Sequence, residues 1–410
     1  MDHRSTGGRD PSRFGALQSD LAGIGRDKRR GGYSRHGFDD ADLALREWFR
    51  HQAQRRGLDV ETDRNGNLWA WWGSGPEAVV TGSHLDSVPG GGAFDGPLGV
   101  IAALLAVDEL RVRNVRPVRP LAVACFVEEE GGRFGVPCLG SRLLTGALDP
   151  DQVRRLTDPQ GASMVDALRR SGIDPQHVGA DPARLAGIGA FVELHVEQGR
   201  LMAQAAPDAA VAVGSGILAH GRWRLHLTGE GNHAGTTRAD DRVDPMVPAA
   251  GAVLAARRAM SRHPDGVATV GRIVPNPGGT NVIASSVDVW LDARTPTPGA
   301  TGAMVDDIVA DVRAEAELEG CSLVVHRESL SPDVEFDPGL IARTAQLLSA
   351  PIVPTGAGHD AGVLSTNVPS SMLFVRNRSG VSHAPAEHAD TDDCLAGVTA
   401  LADVLEDLVR

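Results

Sequence analysis

The 410-residue sequence predicts an α/β protein with a mostly parallel sheet, interrupted by a smaller α+β domain made of an antiparallel sheet and two helices. Three observations carry this expectation. Length alone implies two to three domains at about 150 residues each. Short apolar runs alternate with helical stretches (Ala78 to Gly82, Leu98 to Leu110, Leu121 to Val127), and β-α-β order of this kind requires parallel strands covered on both faces. Further on, Arg222 to Leu227 reads Arg-Trp-Arg-Leu-His-Leu, the alternation of a sheet with one wet face.

In chain order, residues 1 to 37 are polar, include the basic patch Arg26 to Arg30, and are expected at the surface. A helix follows from Asp39 to Gly57, with Leu43, Leu45, Trp48 and Phe49 on its apolar stripe. The cluster of Trp69, Trp71 and Trp72 reads as core and strand edge. Ala190 to Leu194 and Ser371 to Val375 are further buried strands. Within the insert, Val243 to Ser261 is an Ala-rich helix, Val267 to Val274 and Val282 to Asp292 are strands, and Gly302 to Glu319 is the second helix. Val213-Gly214-Ser215-Gly216 and Ser331-Pro332-Asp333 mark its edges. The expected domains are therefore 1–213 with 329–410, and 214–328.

Composition excludes several functions. With 42% hydrophobic and 23% charged residues the chain can fold around a core, and its 49 glycines and 25 prolines follow no collagen period. A net charge of −13 disfavours nucleic acid and anionic membranes as partners. The start, MDHRSTGGRDPSRFG, lacks an apolar leader segment, and no apolar run approaches the length of about 18 residues that spans a bilayer. Cys125, Cys138, Cys321 and Cys394 form no CxxC pair, so a reducing, cytoplasmic setting is expected.

Chemistry concentrates at strand ends. TGSHLDSVPGGGAFDG brings His84 and Asp86 to the end of one strand and Asp95 to the start of a helix. The strand Leu121 to Val127 runs into Glu128-Glu129-Glu130, three carboxylates that repel one another unless solvated or bound to a cation. Ala190 to Leu194 ends at His195, and Ser371 to Val375 leads to His383. In an open α/β sheet, sites form beyond the carboxyl ends of the strands. His84, Asp95, Glu130, His195 and His383 are enough for two metals sharing one carboxylate, with Glu129 or Glu128 left as general base. Neither a phosphate-binding loop nor a G-x-S-x-G serine elbow occurs.

The ordered motifs HLD…GGAFDG, EEEGGRFG, ELHVEQG, GNHAGTT, NVI…DAR, GAGHDAG and VSHAPAEH resemble the dinuclear-metal amidohydrolases of the aminoacylase and carboxypeptidase type. Within them, the chain is most similar to the branch of allantoate amidohydrolase, N-carbamoyl-L-amino-acid hydrolase and β-ureidopropionase. The resemblance implies two divalent ions per chain, zinc first, with manganese, cobalt or nickel admitted by the same donors. It implies His84 and His195 on one ion, Glu130 and His383 on the other, Asp95 between them, Glu129 as catalytic base and Asp86 as orienter of the histidine. The insert corresponds to a lid through which such proteins form homodimers, with His233 as a catalytic lid histidine. Gln198, Asn281, Arg294 and His359 match positions that hold substrate.

The implied activity is hydrolysis of a linear C–N bond in an N-carbamoyl or ureido acid, a small carboxylate substrate. The alternatives are an N-formyl or N-acyl amino acid such as N-formylglutamate, and a binding protein that has lost catalysis. Two departures from the branch, Arg238-Ala239-Asp240 after HAGTT and Arg376-Asn377-Arg378 after Val375, are expected to put arginines near the substrate mouth. His3, His36, His51, His177, His263 and His326 read as solvated surface, and His220, His226 and His388 as structural.

Overall fold

The computed structural model describes residues 11–410. It divides into two compact units, one formed by the chain up to Gly216 with Glu335–Arg410, the other by Ile217–Val334. In chain order the strands are β1 (Asp59–Thr62), β2 (Leu68–Trp72), β3 (Ala78–His84), β4 (Leu121–Phe126), β5 (Ile188–Val196), β6 (Val211–Ile217), β7 (Ala219–Thr228), β8 (Asn232–His233), β9 (Val267–Asn276), β10 (Val282–Ile283), β11 (Ser286–Thr295), β12 (Ser322–Ser331), β13 (Val334–Glu335), β14 (Ile352–Thr355) and β15 (Ser370–Val375).

The first unit is built on a nine-stranded sheet in the order β1-β2-β4-β3-β5-β15-β6-β13, with β14 also paired to β6. Its centre, β4-β3-β5-β15, is parallel throughout, while β2 and β6 flank it antiparallel. Every residue of β3, β4 and β15 is buried. That explains why these strands read as continuous apolar runs rather than alternations. The helices Pro97–Val112 and Thr391–Val409 pack into the same core. The consequence for function is that four parallel strands end on one rim.

The second unit is a four-stranded antiparallel sheet, β12-β7-β11-β9. Burial alternates along β7 and β11. Leu225, Leu227, Val287, Val289 and Leu291 turn inward against the helices Met246–Arg262 and Pro298–Leu318.

Several details go beyond or differ from expectation for identifiable reasons. The glycine-rich stretch at 213–216, where the first unit ends, lies within β6, whose Val211, Ala212 and Val213 pair with Val375, Phe374 and Leu373. Residue 328 falls inside β12, which continues to Ser331 past a register shift between Arg327 and Ser329. The single strand expected over Val282–Asp292 is two, because Val282 and Ile283 pair with His233 and Asn232 of β8 whereas Ser286 onward pairs with β7 and β9. The polar N-terminal segment is not simply surface: Phe14, Leu17 and Leu21 on the helix Pro11–Leu21 enter the core. Arg35 is buried there, donating to the carbonyls of Leu21 and Ile24 with its guanidinium 3.9 Å from the Tyr33 ring. His36 is half-buried with Nδ1 wholly enclosed, and His3 lies outside the described residues. Among the described residues, no helix is long and apolar enough to cross a membrane.

Candidate metal centre and active site

Three of the central strand ends and the loops that follow converge on Asp95. His84 closes β3 and His195 lies near the end of β5. Asp95 precedes Gly96, whose φ of 81° starts the helix Pro97–Val112. A side chain at Gly96 would lie 2.5 Å from the His84 ring, so this glycine is needed for the imidazole to reach its place. Asp95 Oδ1 lies 3.5 Å from His84 Nε2 and 3.3 Å from His195 Nε2. Its other oxygen, Oδ2, lies 3.4 Å from His383 Nε2, which is 3.6 Å from Glu130 Oε2. The two oxygens of one carboxylate thus face two donor groups: His84 with His195, and Glu130 with His383.

The donor chemistry fits divalent cations. Nδ1 of His84 lies 3.1 Å from the Asp86 carbonyl and Nδ1 of His195 lies 2.9 Å from the Val196 carbonyl. Carbonyls only accept, so Nδ1 donates, and in the neutral ring Nε2 keeps its lone pair. Both Nε2 atoms are buried with no hydrogen-bond partner. Buried polar atoms are rarely left unpaired, and two imidazole lone pairs aimed at one carboxylate oxygen are a place for a cation. His383 stands at φ 55°, an uncommon conformation for a non-glycine residue, as at other functional sites. Hydrogen bonding to Asp95, with Glu130 adding to it, raises the His383 pKa to about 9, despite partial burial.

The acidic run divides its labour. Glu128, at φ 53°, accepts main-chain N–H groups from Gly37, Arg133 and Phe134 at 2.7–2.9 Å. It therefore organises the loop, and of the two candidate bases Glu129 is the one whose carboxylate stands beside His84. Glu129 has Oε2 3.7 Å from His84 Nε2 and Oε1 accepting from Cys138 Sγ at 3.2 Å. Burial, together with Asp360 and Glu130, pushes the Glu129 pKa well above the usual carboxylate range, against the pull of His84. Glu130 rises to about 7, through burial and Asp95. Asp86 also holds the main chain. Its carboxylate accepts from the main-chain N–H of Glu129 (3.1 Å) and Glu130 (3.0 Å) and stands 3.6 Å from His84 Nδ1, whereas its main-chain carbonyl is closer. Its carboxylate ties the two strand-end loops together beside the His84 ring.

Of the residues matched to substrate, Gln198 and His359 lie in the first unit and Asn281 and Arg294 in the second. Gln198 Nε2 donates to Asp95 Oδ2 at 2.7 Å and lies 3.2 Å from His383 Nε2. His359 is buried, its ring 4.5 Å from that of His195, and burial together with His195 holds its pKa well below the ordinary value. In the second unit, β8 carries His233 and pairs with β10, and Ala234 N–H donates to the Asn281 carbonyl, so His233 and Asn281 share one loop cluster. His233 is exposed, and its Nδ1 accepts from Gly235 N–H at 3.0 Å. Arg294 on β11 is gripped by Asp292, Nε to Oδ1 at 2.8 Å and Nη2 to Oδ2 at 3.3 Å.

The expectation for Arg376 is overturned. It is buried, bonded through Nε and Nη2 to Asp393 at 2.9 and 2.8 Å and through Nη1 to the Pro207 carbonyl, so it clamps the helix Thr391–Val409 instead of facing ligand. Arg378 pairs with Asp390 at the surface, and Arg238 is exposed. Sequence reasoning missed Glu387, whose Oε1 accepts the main-chain N–H groups of Phe94 and Asp95, both at 2.9 Å. Its signal is a lone acid after the small and apolar run Ala384-Pro385-Ala386; the neighbouring His388 is exposed and paired with Asp390. Glu193 was missed too: it joins Ser83 Oγ to Ala361 N–H beneath His195 and His359.

Residues 80–407 match the model of Peptidase family M20/M25/M40. The chain is 33% identical over 381 residues to the N-carbamoyl-L-amino acid amidohydrolase of Geobacillus stearothermophilus, covering 90% of this chain and 92% of that protein. It is 31% identical over 397 residues to the allantoate amidohydrolase of Escherichia coli, covering 95% of each. Among solved structures, a hydantoinase/carbamoylase family amidase from Burkholderia ambifaria superposes with a TM-score of 0.85 at 29% identity over 98% of both chains.

Proposed function

The chain belongs to peptidase family M20/M25/M40, a metal-dependent family, and from that premise we propose that it hydrolyses the linear C–N bond of an N-carbamoyl or ureido amino-acid-like carboxylate. The observation that carries this reading is the division of Asp95 between two donor groups, with Glu129 beside them. In it, His84 and His195 would hold one divalent ion and Glu130 and His383 another, with Asp95 serving both donor groups. Zinc is the proposed metal; manganese, cobalt and nickel suit the same donors. Such ions supply Lewis acidity, polarising a carbonyl and letting a water deprotonate near neutral pH.

Glu129 takes the proton of the attacking water and returns it to the nitrogen as the C–N bond breaks. A buried carboxylate of raised pKa suits both halves of that exchange. His233 donates to the oxyanion: because its Nδ1 accepts from Gly235 N–H, the neutral ring carries its proton on Nε2. Gln198, Asn281, Arg294 and His359 hold substrate, Arg294 gripping its carboxylate. The second unit serves as lid and homodimer interface. Its edge strand β9 is largely exposed, and edges of this kind are commonly covered by pairing. Four free, buried cysteines support a reducing, cytoplasmic setting.

The test is product release from allantoate and from N-carbamoyl, N-formyl and N-acetyl amino acids, with metal content measured on the same preparation. Ammonia from the first two is the expected result. Release of formate or acetate without ammonia from the ureido compounds would replace this reading with acyl-amino-acid hydrolysis.

A further inference from the structure

The basic run Arg26-Asp27-Lys28-Arg29-Arg30 has no part in the reaction above, yet it is fastened to two of the loops that carry it out. Tyr33 and Gly91 exchange main-chain hydrogen bonds at 3.0 and 2.8 Å, and Tyr33 also bridges Arg26. Ser87 N–H donates to the Arg35 carbonyl and Gly90 N–H to Ser34 Oγ. This stitches the segment along the stretch that leads to Asp95. On its other side, a Cβ at Gly31 would lie 3.3 Å from the Pro385 ring, two residues past His383. The approach depends on Gly32, at φ 60°, where a Cβ would sit 2.2 Å from the Gly91 carbonyl. The cationic turn therefore sits between the loops that deliver Asp95 and His383.

Asp27 shapes the turn, accepting from the N–H groups of Arg29 and Arg30 and from Ser34 Oγ. It offsets one of four cations. Arg26 is anchored to the Ala22 carbonyl and lies over the Tyr33 ring, and Arg30 pairs with Asp27. Lys28 and Arg29 are exposed, with no side-chain partner among the described residues. These charges stand on a chain of net charge −13, next to the loops that carry Asp95 and His383. Two divalent ions would offset only part of that negative charge, so a diffusing carboxylate still meets a net negative protein, and a local cationic rim adds to the pull of the ions at the mouth of the site.

We propose that the Arg26–Arg30 turn is an anion-collecting rim of the metal centre, which concentrates carboxylate substrates and favours those bearing two carboxylates over those bearing one. It rests on the reading of the substrate as a carboxylate. Coulomb attraction scales with ligand charge and is removed by salt. Lys28→Gln with Arg29→Gln should lower kcat/KM for N-carbamoyl-L-aspartate about fivefold and for N-carbamoylglycine about twofold, through KM, at about 0.01 M salt, where the Debye length is about 30 Å. Lys28→Glu with Arg29→Glu should lower both further. At about 1 M salt, where that length is about 3 Å, wild type and variants should converge. Calorimetric titration of the metal-loaded wild type and variants with succinate reads the same weakening without turnover. A wild-type-to-variant ratio that ignores salt, or is equal for one and two carboxylates, overturns the rim. A wild type inactive on every carbamoyl, ureido and acyl acid would instead overturn the reaction reading and leave the succinate titration to decide.

Discussion

In the first unit, His84 and His195 donate through Nδ1 to main-chain carbonyls and turn bare Nε2 atoms toward Asp95. In the second unit, His233 accepts a main-chain N–H at Nδ1 and carries its proton on Nε2. The same side chain thus bares a lone pair in one place and an N–H in the other, as the proposed roles of cation ligand and oxyanion donor require. The surroundings differ as sharply. Asp95 is contacted by three histidines, Gln198 and Ser382, and its main-chain N–H is held by Glu387. His233 is exposed on a two-residue strand, with its loop braced by Thr237 Oγ1 on its carbonyl and Arg242 on the Ala234 carbonyl. Ligands must be rigid before the cation arrives, whereas a group that meets substrate needs only its turn fixed and its functional atom exposed.

If that contrast is right, damage in the first unit should separate into loss of metal and loss of chemistry. The largest effect is expected from Glu129→Gln, which should keep full metal content by elemental analysis and lose roughly 10³- to 10⁴-fold in kcat. Retained turnover would mean another group is the base. His195→Ala and His383→Ala should instead lose metal, and unchanged metal content in both would break the two-ion reading. Next is His233→Ala, expected to cost about 10²- to 10³-fold in kcat with metal content unaltered, the range for one oxyanion donor. Mixing His233→Ala with Glu129→Gln chains tests whether the histidine works across a dimer. Recovered activity in mixed dimers means that it does, and no recovery assigns it to its own chain.

Glu387→Gln probes the rigidity directly. Its carboxylate, bonded to the Asp95 and Phe94 N–H groups, fixes the loop but is not among the proposed cation ligands. The variant should lower metal affinity by about a hundredfold while leaving kcat at saturating metal within a few-fold. Equal affinity in wild type and variant would show that the loop holds Asp95 without help.

The two regions were also unequally legible in the sequence. β3, β4, β5 and β15 each end a buried apolar run, and a parallel sheet collects such ends on one rim, so the sequence alone groups His84, the acidic run, His195 and His383. Glu387 and Glu193 could not, because an acid that bonds main-chain N–H groups has no periodicity and its partners are distant in sequence. The same holds for Arg376, which looked like a mouth residue until Asp393, one helix further on, took its guanidinium. Strand β6 carries the glycines that stand where the first unit ends. It is a strand because its backbone pairs with β15, while Gly214 packs closely on Phe374 and Phe336. His233, Asn281 and Arg294 were identified through motif resemblance alone, and no pattern of burial would have singled them out.

Arg294 gives the sharpest test of the second unit, because Asp292 already holds it as an ordinary same-face ion pair would. The pair can be the whole of its role, or Asp292 can aim a guanidinium whose planar fork then grips the substrate's carboxylate. Lysine keeps the charge but not the fork. On the second account, Arg294→Lys should raise KM and lower kcat/KM by about 2 kcal/mol, roughly thirtyfold, with fold and metal content unchanged. Asp292→Asn loosens the aim without removing the fork and should cost less, about 1 kcal/mol. Each chain is compared on a carboxylate substrate and on its amide, because only a carboxylate anchor makes the loss specific to the acid. If wild type does not prefer the free acid, or Arg294→Lys keeps the whole preference, then Arg294 is a strand ion pair and nothing more. Arg238, exposed on the His233 loop, becomes the candidate anchor, since Arg376 is committed to Asp393.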